Sequence, residues 1–279
     1  GTAVIGRENG SRGYAVVTHG GSWESESLVL SGAHPTAPSE KGSQGFLVIN
    51  EDGTVGVGQN GAGTLYIAVY ENSKGVLNIG AYMPDSDDYN IDEDIGDAAL
   101  GLTGNLFEAR GAGHLEAQFV EFGAGQGIVN FKHTEDYEDD YRFEAGFKSE
   151  NGNGEVHHYE GFTVLDGDSS GFTGSLTVHG GTVVLNNENE FGSEEFGGTV
   201  TVEEDGILRI GHEHMIVVLA DDPTPGDGEK GGVANDITNN GVVEFNRSNE
   251  YTYDNVISGA GEVRQIGSGT TILTGANTY

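Results

Sequence analysis

The sequence is poor in several residue types, and each shortage excludes a class of protein. It contains no cysteine, so no disulfide framework supports the fold, and stability must come from paired strands and an apolar core. Only 5 of the 279 residues are proline and no Gly-X-Y period is present, which excludes a collagen-like chain or a proline-rich linker. No apolar stretch approaches the ~18 residues that a membrane-spanning helix needs, and no secretory signal pattern follows Gly1.

Basic residues are scarce relative to acidic ones. The chain has 12 Lys and Arg residues against 45 Asp and Glu residues, a formal net charge of −33. Such a field repels nucleic acid and anionic membranes and favours cations or basic protein surfaces as partners. Alternatively, the acidic residues serve only to keep a β protein with many strand edges soluble.

Glycine, by contrast, is abundant, with 48 residues. Many of these glycines begin the same phrase: glycine, any residue, an apolar residue, any residue, an apolar residue. The phrase starts at Gly45, Gly53, Gly63, Gly75, Gly127, Gly174, Gly181, Gly198, Gly206 and Gly241. Each copy predicts a turn followed by a short strand whose alternate residues face inward. Many such strands at near-regular spacing predict an elongated repeat architecture.

Two folds can use these phrases. An antiparallel barrel or sandwich would use the Asn-Gly and Asp-Gly pairs as hairpin turns, whereas a parallel β-helix would use them as corners. The recurring leading glycine, the variable spacing between phrases and the inward Val, Leu and Ile residues favour the second fold. We therefore expect one all-β domain over residues 1–279, a right-handed parallel β-helix of about a dozen coils with roughly 20 to 25 residues each.

A longer repeat overlies the short phrase. The run 127–137 matches 241–251, and 163–170 matches 271–278. The first copy has extra residues between the two blocks, and insertion between fixed strands is typical of a solenoid.

Three segments interrupt the pattern and predict protruding loops, at 33–43, 83–96 and 220–232. The second is rich in carboxylates that could bind calcium, a cation that takes six to eight oxygen ligands. These residues are Asp85, Asp87, Asp88, Asp92 and Asp94. The EF-hand pattern is not completed there, so we expect either no cofactor or calcium.

The run 257–263 and the run 267–279 resemble the passenger domains of bacterial type V autotransporters, and the end of the chain is similar to their passenger-associated transport repeat. Similar runs lie at 172–185, 75–80 and 122–131. The resemblance implies a right-handed parallel β-helix at the cell surface or outer membrane of a Gram-negative bacterium, or secreted from it. It also implies a C-terminal translocator barrel that is not included in this chain.

Two segments are weighed as catalytic sites. The run 167–170, Gly-Asp-Ser-Ser, resembles a lipase nucleophile motif, but it matches 275–278 and has no positioned base, so we interpret it as a corner of the repeat. The carboxylates of 135–141 could act as the acid pair of a polysaccharide hydrolase. A chain with so few basic residues would hold an anionic sugar polymer poorly, so we expect no enzyme.

Histidines form a second candidate metal site. His212 and His214 lie two residues apart on one strand face, where Glu194 or Glu195 could add a third ligand. The alternative is a pair of exposed strand residues. The adjacent His157 and His158 are a weaker pair, because neighbouring residues of a strand point to opposite faces.

The residues and the resemblance together predict a non-enzymatic adhesin or self-association module. Stacked polar side chains would make many weak contacts with a partner. A set of tyrosines would either anchor a sugar or protein or pack inside the repeat. This set is Tyr137, Tyr141, Tyr251 and Tyr253. The expected partner is a host or bacterial surface glycan or protein, or the same passenger. Nucleic acid is not expected, and membrane contact would come only through the missing barrel. The alternatives are a β-helix enzyme acting on polysaccharide and a purely structural stalk.

Overall fold

The computed structural model describes residues 1–7, 10–32, 42–81, 108–149, 152–187, 189–192, 198–212 and 229–279, and over these ranges the chain is all-β. It forms twenty-three strands and one short 3-10 turn at Gln59–Gly61. No helix in these ranges has the length and apolar character to cross a membrane.

The strands are short and follow one another closely. The first eleven are β1 (Thr2–Ile5), β2 (Arg12–Val17), β3 (Ser22–Ser25), β4 (Ser27–Leu30), β5 (Gln44–Ile49), β6 (Thr54–Val57), β7 (Thr64–Ile67), β8 (Lys74–Ile79), β9 (His114–Glu116), β10 (Phe119–Phe122) and β11 (Gln126–Lys132). The others are β12 (Tyr141–Phe143), β13 (Gly146–Ser149), β14 (Glu155–Glu160), β15 (Phe162–Leu165), β16 (Ser175–Leu185), β17 (Val200–Ile210), β18 (Ile237–Asn239), β19 (Val242–Phe245), β20 (Glu250–Tyr253), β21 (Ile257–Ser258), β22 (Glu262–Gln265) and β23 (Thr270–Leu273).

The chain passes through several sheets in turn and returns to each one level higher. One sheet has the order β1-β4-β7-β10-β13, a second contains the path β2-β5-β8-β11-β14-β16-β17-β18-β21, and a third has the order β3-β6-β9. The pairings that define these ladders are parallel, for example Ile237 with Ile257 and Val242 with Glu262. We call one such level a rung. This arrangement is consistent with a parallel β-helix and is incompatible with the hairpin alternative.

The described stack is shorter than the dozen coils expected. Its longest ladder contains nine strands and continues by one bridge from Ser258 to Thr278, which makes ten levels. Near the C-terminal end, few residues separate the strands of successive rungs. Insertions lengthen several earlier rungs, so the same number of residues builds fewer levels.

The longer repeat does not map onto equivalent strands. β11, in the first copy, belongs to the ladder that continues through β14 and β18. β19, in the second copy, pairs instead with the second half of β17 and with β22. The two copies therefore belong to different ladders of the same sheet.

Like residues stack on like residues along the interior. Phe122, Phe147, Phe172 and Phe191 form an aromatic column through successive rungs, with neighbouring ring centroids 6.2, 5.7 and 5.6 Å apart. Each ring is fully or almost fully buried. Aromatic pairs at these separations add to the free energy gained by burying their surface.

The glycines that open the strand phrases are explained mainly by space. A Cβ atom on Gly174 would lie 2.1 Å from the carbonyl oxygen of Gly154, which belongs to the rung below. The corner Asn60-Gly61 does use the left-handed region, with φ of 54° and 71°. Close approach of rungs at the strand starts, more than backbone conformation, thus accounts for the recurring phrase.

The predicted loops fall mostly outside the described residues. This is true of all of 83–96, including the five aspartates expected to bind calcium. Only residues 42–43 of the first loop and 229–232 of the third are described.

We predict that Gly174→Ala lowers the free energy of unfolding by about 1–3 kcal/mol, because the new methyl group collides with backbone that cannot move away. Gly171→Ala is the matched control, since the nearest atom to its Cβ is a lysine side-chain carbon at 3.7 Å. Urea unfolding followed by circular dichroism measures both. Equal midpoints for the two variants would contradict the spatial explanation.

Candidate functional site

A cleft of about 650 Å³ opens on the side of the stack beside the segment 135–141. The turn after β5, the strand β9 and the start of β12 form its walls. Its charged and polar lining residues are Asp52, His114, Glu116, Thr134, Glu135, Asp139, Asp140, Tyr141, Arg142 and Glu144. Six of these side chains are carboxylic acids, so the cleft favours cationic or hydrogen-bond-donating groups.

Glu135 connects this cleft to the interior. The inward alternation of β11 continues past its end, so that Phe131 and His133 are buried and Glu135 lies at the cleft wall. Its Oε1 accepts a hydrogen bond from the N–H of Ala112 at 2.8 Å, and its Oε2 lies 2.9 Å from Nδ1 of His133. Burial acts to raise the pKa of Glu135, but the contacts with His133 and the Ala112 N–H outweigh it and the pKa is lowered.

Two fully buried histidines then share one threonine hydroxyl. The Oγ1 of Thr163 lies 2.7 Å from Nε2 of His133 and 3.0 Å from Nε2 of His158. His158 donates its Nδ1–H to the carbonyl oxygen of Gly180 at 2.8 Å, so its Nε2 accepts from the threonine. Burial lowers the pKa of His158 to about 3, and the ring is therefore neutral.

Glu135, His133 and Thr163 have the order and spacing of a carboxylate–histidine–hydroxyl triad. Thr163 is fully buried, however, and its hydroxyl hydrogen is directed at His158. A nucleophile needs access to substrate, so we interpret this chain of contacts, here called the buried relay, as a polar link that holds three rungs together. Sequence reasoning missed it, although the strand alternation of Val156 and His158 already placed the second histidine inward.

The predicted tyrosines divide into three buried rings and one exposed ring. Tyr141 donates its hydroxyl to the carbonyl of Gly113 at 2.8 Å, and Tyr253 donates to the carbonyl of Asn235 at 2.6 Å. Tyr251 is also in the core and donates to Glu190 at 3.3 Å. Burial raises the pKa of all three hydroxyls. These rings pack inside the repeat, and only Tyr137, with 53% of its surface exposed, can present a ring to a ligand.

The Gly-Asp-Ser-Ser run forms a corner of the fold. Ser169 is buried, and its Oγ accepts a hydrogen bond from the N–H of Phe147 at 3.0 Å. Asp168 accepts from the N–H and hydroxyl of Ser170 at 3.1 and 2.7 Å. The Ser169 contact ties the corner to the rung below, and the Asp168 contacts lie within the corner itself.

The predicted metal ligands are largely outside the described residues. His214, Glu194 and Glu195 lie there, while His212 is buried with its Nδ1 3.3 Å from the Arg142 guanidinium. Among the residues that the structure does describe, no group of three or more His, Asp or Glu side chains converges on a common metal position.

A column of hydroxyl side chains runs along the outer face of the long ladder. In register, Thr177 pairs with Thr201, Thr201 with Thr238, Thr238 with Ser258, and Ser258 with Thr278. All five are at least partly exposed. Adjacent strands are about 4.8 Å apart, so this hydroxyl column offers evenly spaced donors and acceptors across five rungs.

We predict a pH-dependent stability that His158 controls. Because its pKa is about 3 in the folded chain and 6.5 in the unfolded chain, acid favours unfolding from pH 6.5 downward. His158→Asn, which keeps an N–H for the Gly180 carbonyl, removes this contribution. Between pH 6 and 5 the wild type should lose about 1 kcal/mol more unfolding free energy than the variant. Parallel stability curves from urea titrations would contradict this assignment.

Comparison with known proteins supports the resemblance. The passenger-associated-transport-repeat model matches residues 161–185 and 263–279, which cover β15 to β16 and β22 to β23. An uncharacterized lipoprotein, YdeK of Escherichia coli (strain K12), is 28% identical over 168 residues, or 60% of this chain. The chain spans only 11% of that protein's length. No solved structure matches. The chain thus carries the passenger-associated transport repeat, the marker of autotransporter passenger domains.

Proposed function

We propose that this chain is a non-enzymatic passenger that mediates adhesion or cell–cell self-association through the exposed face of a right-handed parallel β-helix. The hand follows from parallel crossover connections, which are right-handed almost without exception. The transport repeat and the lipoprotein relative support a place at the cell surface or outer membrane of a Gram-negative bacterium.

The observation that carries the proposal is the hydroxyl column. Its five side chains repeat without a charged residue in the register from Thr177 to Thr278. Each hydroxyl can donate one and accept two hydrogen bonds, so the column can pair with a glycan, with a protein edge or with its own copy. Each single contact of this kind is weak. Because many copies of the protein on one cell surface bind at the same time, their contacts together give a stable attachment.

Net charge decides which partners can approach. Two copies, each with −33 charges, repel one another, but the repulsion is screened over about 8 Å at physiological ionic strength. Self-association therefore needs a contact surface that is itself neutral, as the hydroxyl column is. A basic partner, by contrast, would be attracted to the carboxylates around the column.

An enzyme acting on polysaccharide is the second candidate, and the acidic cleft is the observation in its favour. Asp139 and Asp140 both line it. Asp140, however, is ion-paired with Arg142 at 3.2 Å, and Arg142 also contacts Asp166 at 3.0 Å. The test is whether the wild type hydrolyses a glycan. If it does, and if Asp139→Asn and Asp140→Asn each abolish this activity, the enzyme is favoured over the adhesin.

We predict that adding charge to the hydroxyl column abolishes attachment. The double variant Thr201→Asp and Ser258→Asp adds two charges that are separated by the neutral Thr238, so they do not stack on one another. Both side chains point outward, so the fold should stay intact, and cell aggregation or glycan binding should be lost. The assay is sedimentation of cells that display the protein, together with a glycan and matrix-protein binding screen.

A double variant on other ladders is the matched control. Ser22 on β3 and Thr252 on β20 are exposed and have the neutral register partners Thr54 and Ile272, so their replacement by Asp adds the same charge elsewhere. This control should aggregate or bind like the wild type. If the wild type neither aggregates cells nor binds any glycan or matrix protein, the proposal is contradicted and a structural stalk is favoured.

We further predict that salt separates the two modes of attachment. Self-association should strengthen between 20 and 300 mM NaCl, because like charges are screened, whereas adhesion to a basic partner should weaken. Sedimentation rates across this range distinguish them. The assay uses only cells that display the protein. A sedimentation rate that decreases as the NaCl concentration rises would contradict self-association through the neutral hydroxyl column.

A further inference from the structure

Two histidines on adjacent rungs face each other on the outer surface. His157 lies on β14 and His179 on β16, both partly buried. Nδ1 of His157 is 3.0 Å from Nε2 of His179. The ring centroids are 5.3 Å apart and the ring planes differ by 20°, so the two nitrogens point nearly straight at each other.

A carboxylate occupies the far side of each ring. Oε2 of Glu155 lies 3.2 Å from Nε2 of His157, and Oε2 of Glu203 lies 2.8 Å from Nδ1 of His179. An ionised carboxylate only accepts hydrogen bonds, so each outer nitrogen carries the hydrogen of its ring. In two neutral imidazoles, both inner nitrogens are then bare lone pairs in contact. That arrangement is repulsive unless a cation lies between them.

We propose that His157 and His179 bind a single transition-metal ion of the zinc class at this position. Two imidazole nitrogens bound at about 2.0–2.1 Å to a tetrahedral ion lie roughly 3.3 Å apart, so the pair needs only a small opening and a swing of the rings. Water completes the coordination, since no third His, Asp or Glu in the described ranges converges there.

The surroundings suit a metal-binding pair. Ligating histidines characteristically donate their other N–H to a carboxylate, which fixes the tautomer and strengthens the ligand, and Glu155 and Glu203 are placed to do this. The ring of Tyr159 stacks on His179 at 4.4 Å with the planes 8° apart, which limits the orientations of that ligand. The negative field of the chain also concentrates cations at its surface.

Isothermal titration of the tag-free protein with zinc chloride tests the site. The wild type should bind one ion per chain at this site, and His157→Gln and His179→Gln should each weaken binding at least tenfold. The double variant Glu155→Gln and Glu203→Gln keeps both ligands and should weaken binding about 10- to 100-fold. Thermal melts confirm that each variant is folded.

The matched control is His19→Gln. His19 also contacts a glutamate, Glu51, at 3.1 Å on the surface, but without a second histidine opposite. Its replacement should leave zinc affinity unchanged. Absence of zinc binding in the wild type would mean that only a proton occupies the position and would overturn the proposal. So would zinc affinity that both histidine variants retain, because another group would then hold the ion.

Discussion

Everything in this molecule depends on the close stacking of one rung on the next. Neighbouring strands in a ladder are about 4.8 Å apart, so each side chain must fit against its equivalents above and below. In the interior this constraint selects apolar and aromatic columns such as Phe122, Phe147, Phe172 and Phe191. Where strands begin, it excludes any side chain at all, as at Gly174.

The same constraint governs polar and charged residues. A column of like charges would repel itself at this spacing, and the outer face instead alternates Arg209, Glu244 and Arg264, with ion-pair distances of 2.8 and 3.5 Å. Three polar side chains that cannot reach water, His133, His158 and Thr163, are joined in the buried relay. The neutral hydroxyl column is a third solution, since hydroxyl groups can stack on one another without repulsion and still face a partner.

Sequence reasoning recovered the all-β class, the parallel stacking and the opposite orientation of His157 and His158, because these follow from local alternation and from the glycine-led phrase. It did not recover which ladder each strand joins, since β11 and β19 share that alternation but pair in different ladders. The tyrosine set shows a similar limit, because its members were expected to bind a ligand and three of the four are buried. Tyr251 and Tyr253 alternate with Thr252, and this alternation already favours a position in the core for both tyrosines. The buried relay joins residues from three rungs, and no local pattern brings Glu135, Thr163 and Gly180 together.

The most direct test of this account uses the absence of cysteine in the chain. Single cysteines placed at Thr238, in the hydroxyl column, and at Thr252, on another ladder, can be labelled with a maleimide on displaying cells before and after attachment. The account predicts that a cysteine at 238 becomes protected when cells aggregate or bind their partner, while a cysteine at 252 stays reactive. Equal labelling at both positions during attachment would contradict the assignment of the hydroxyl column as the contact surface.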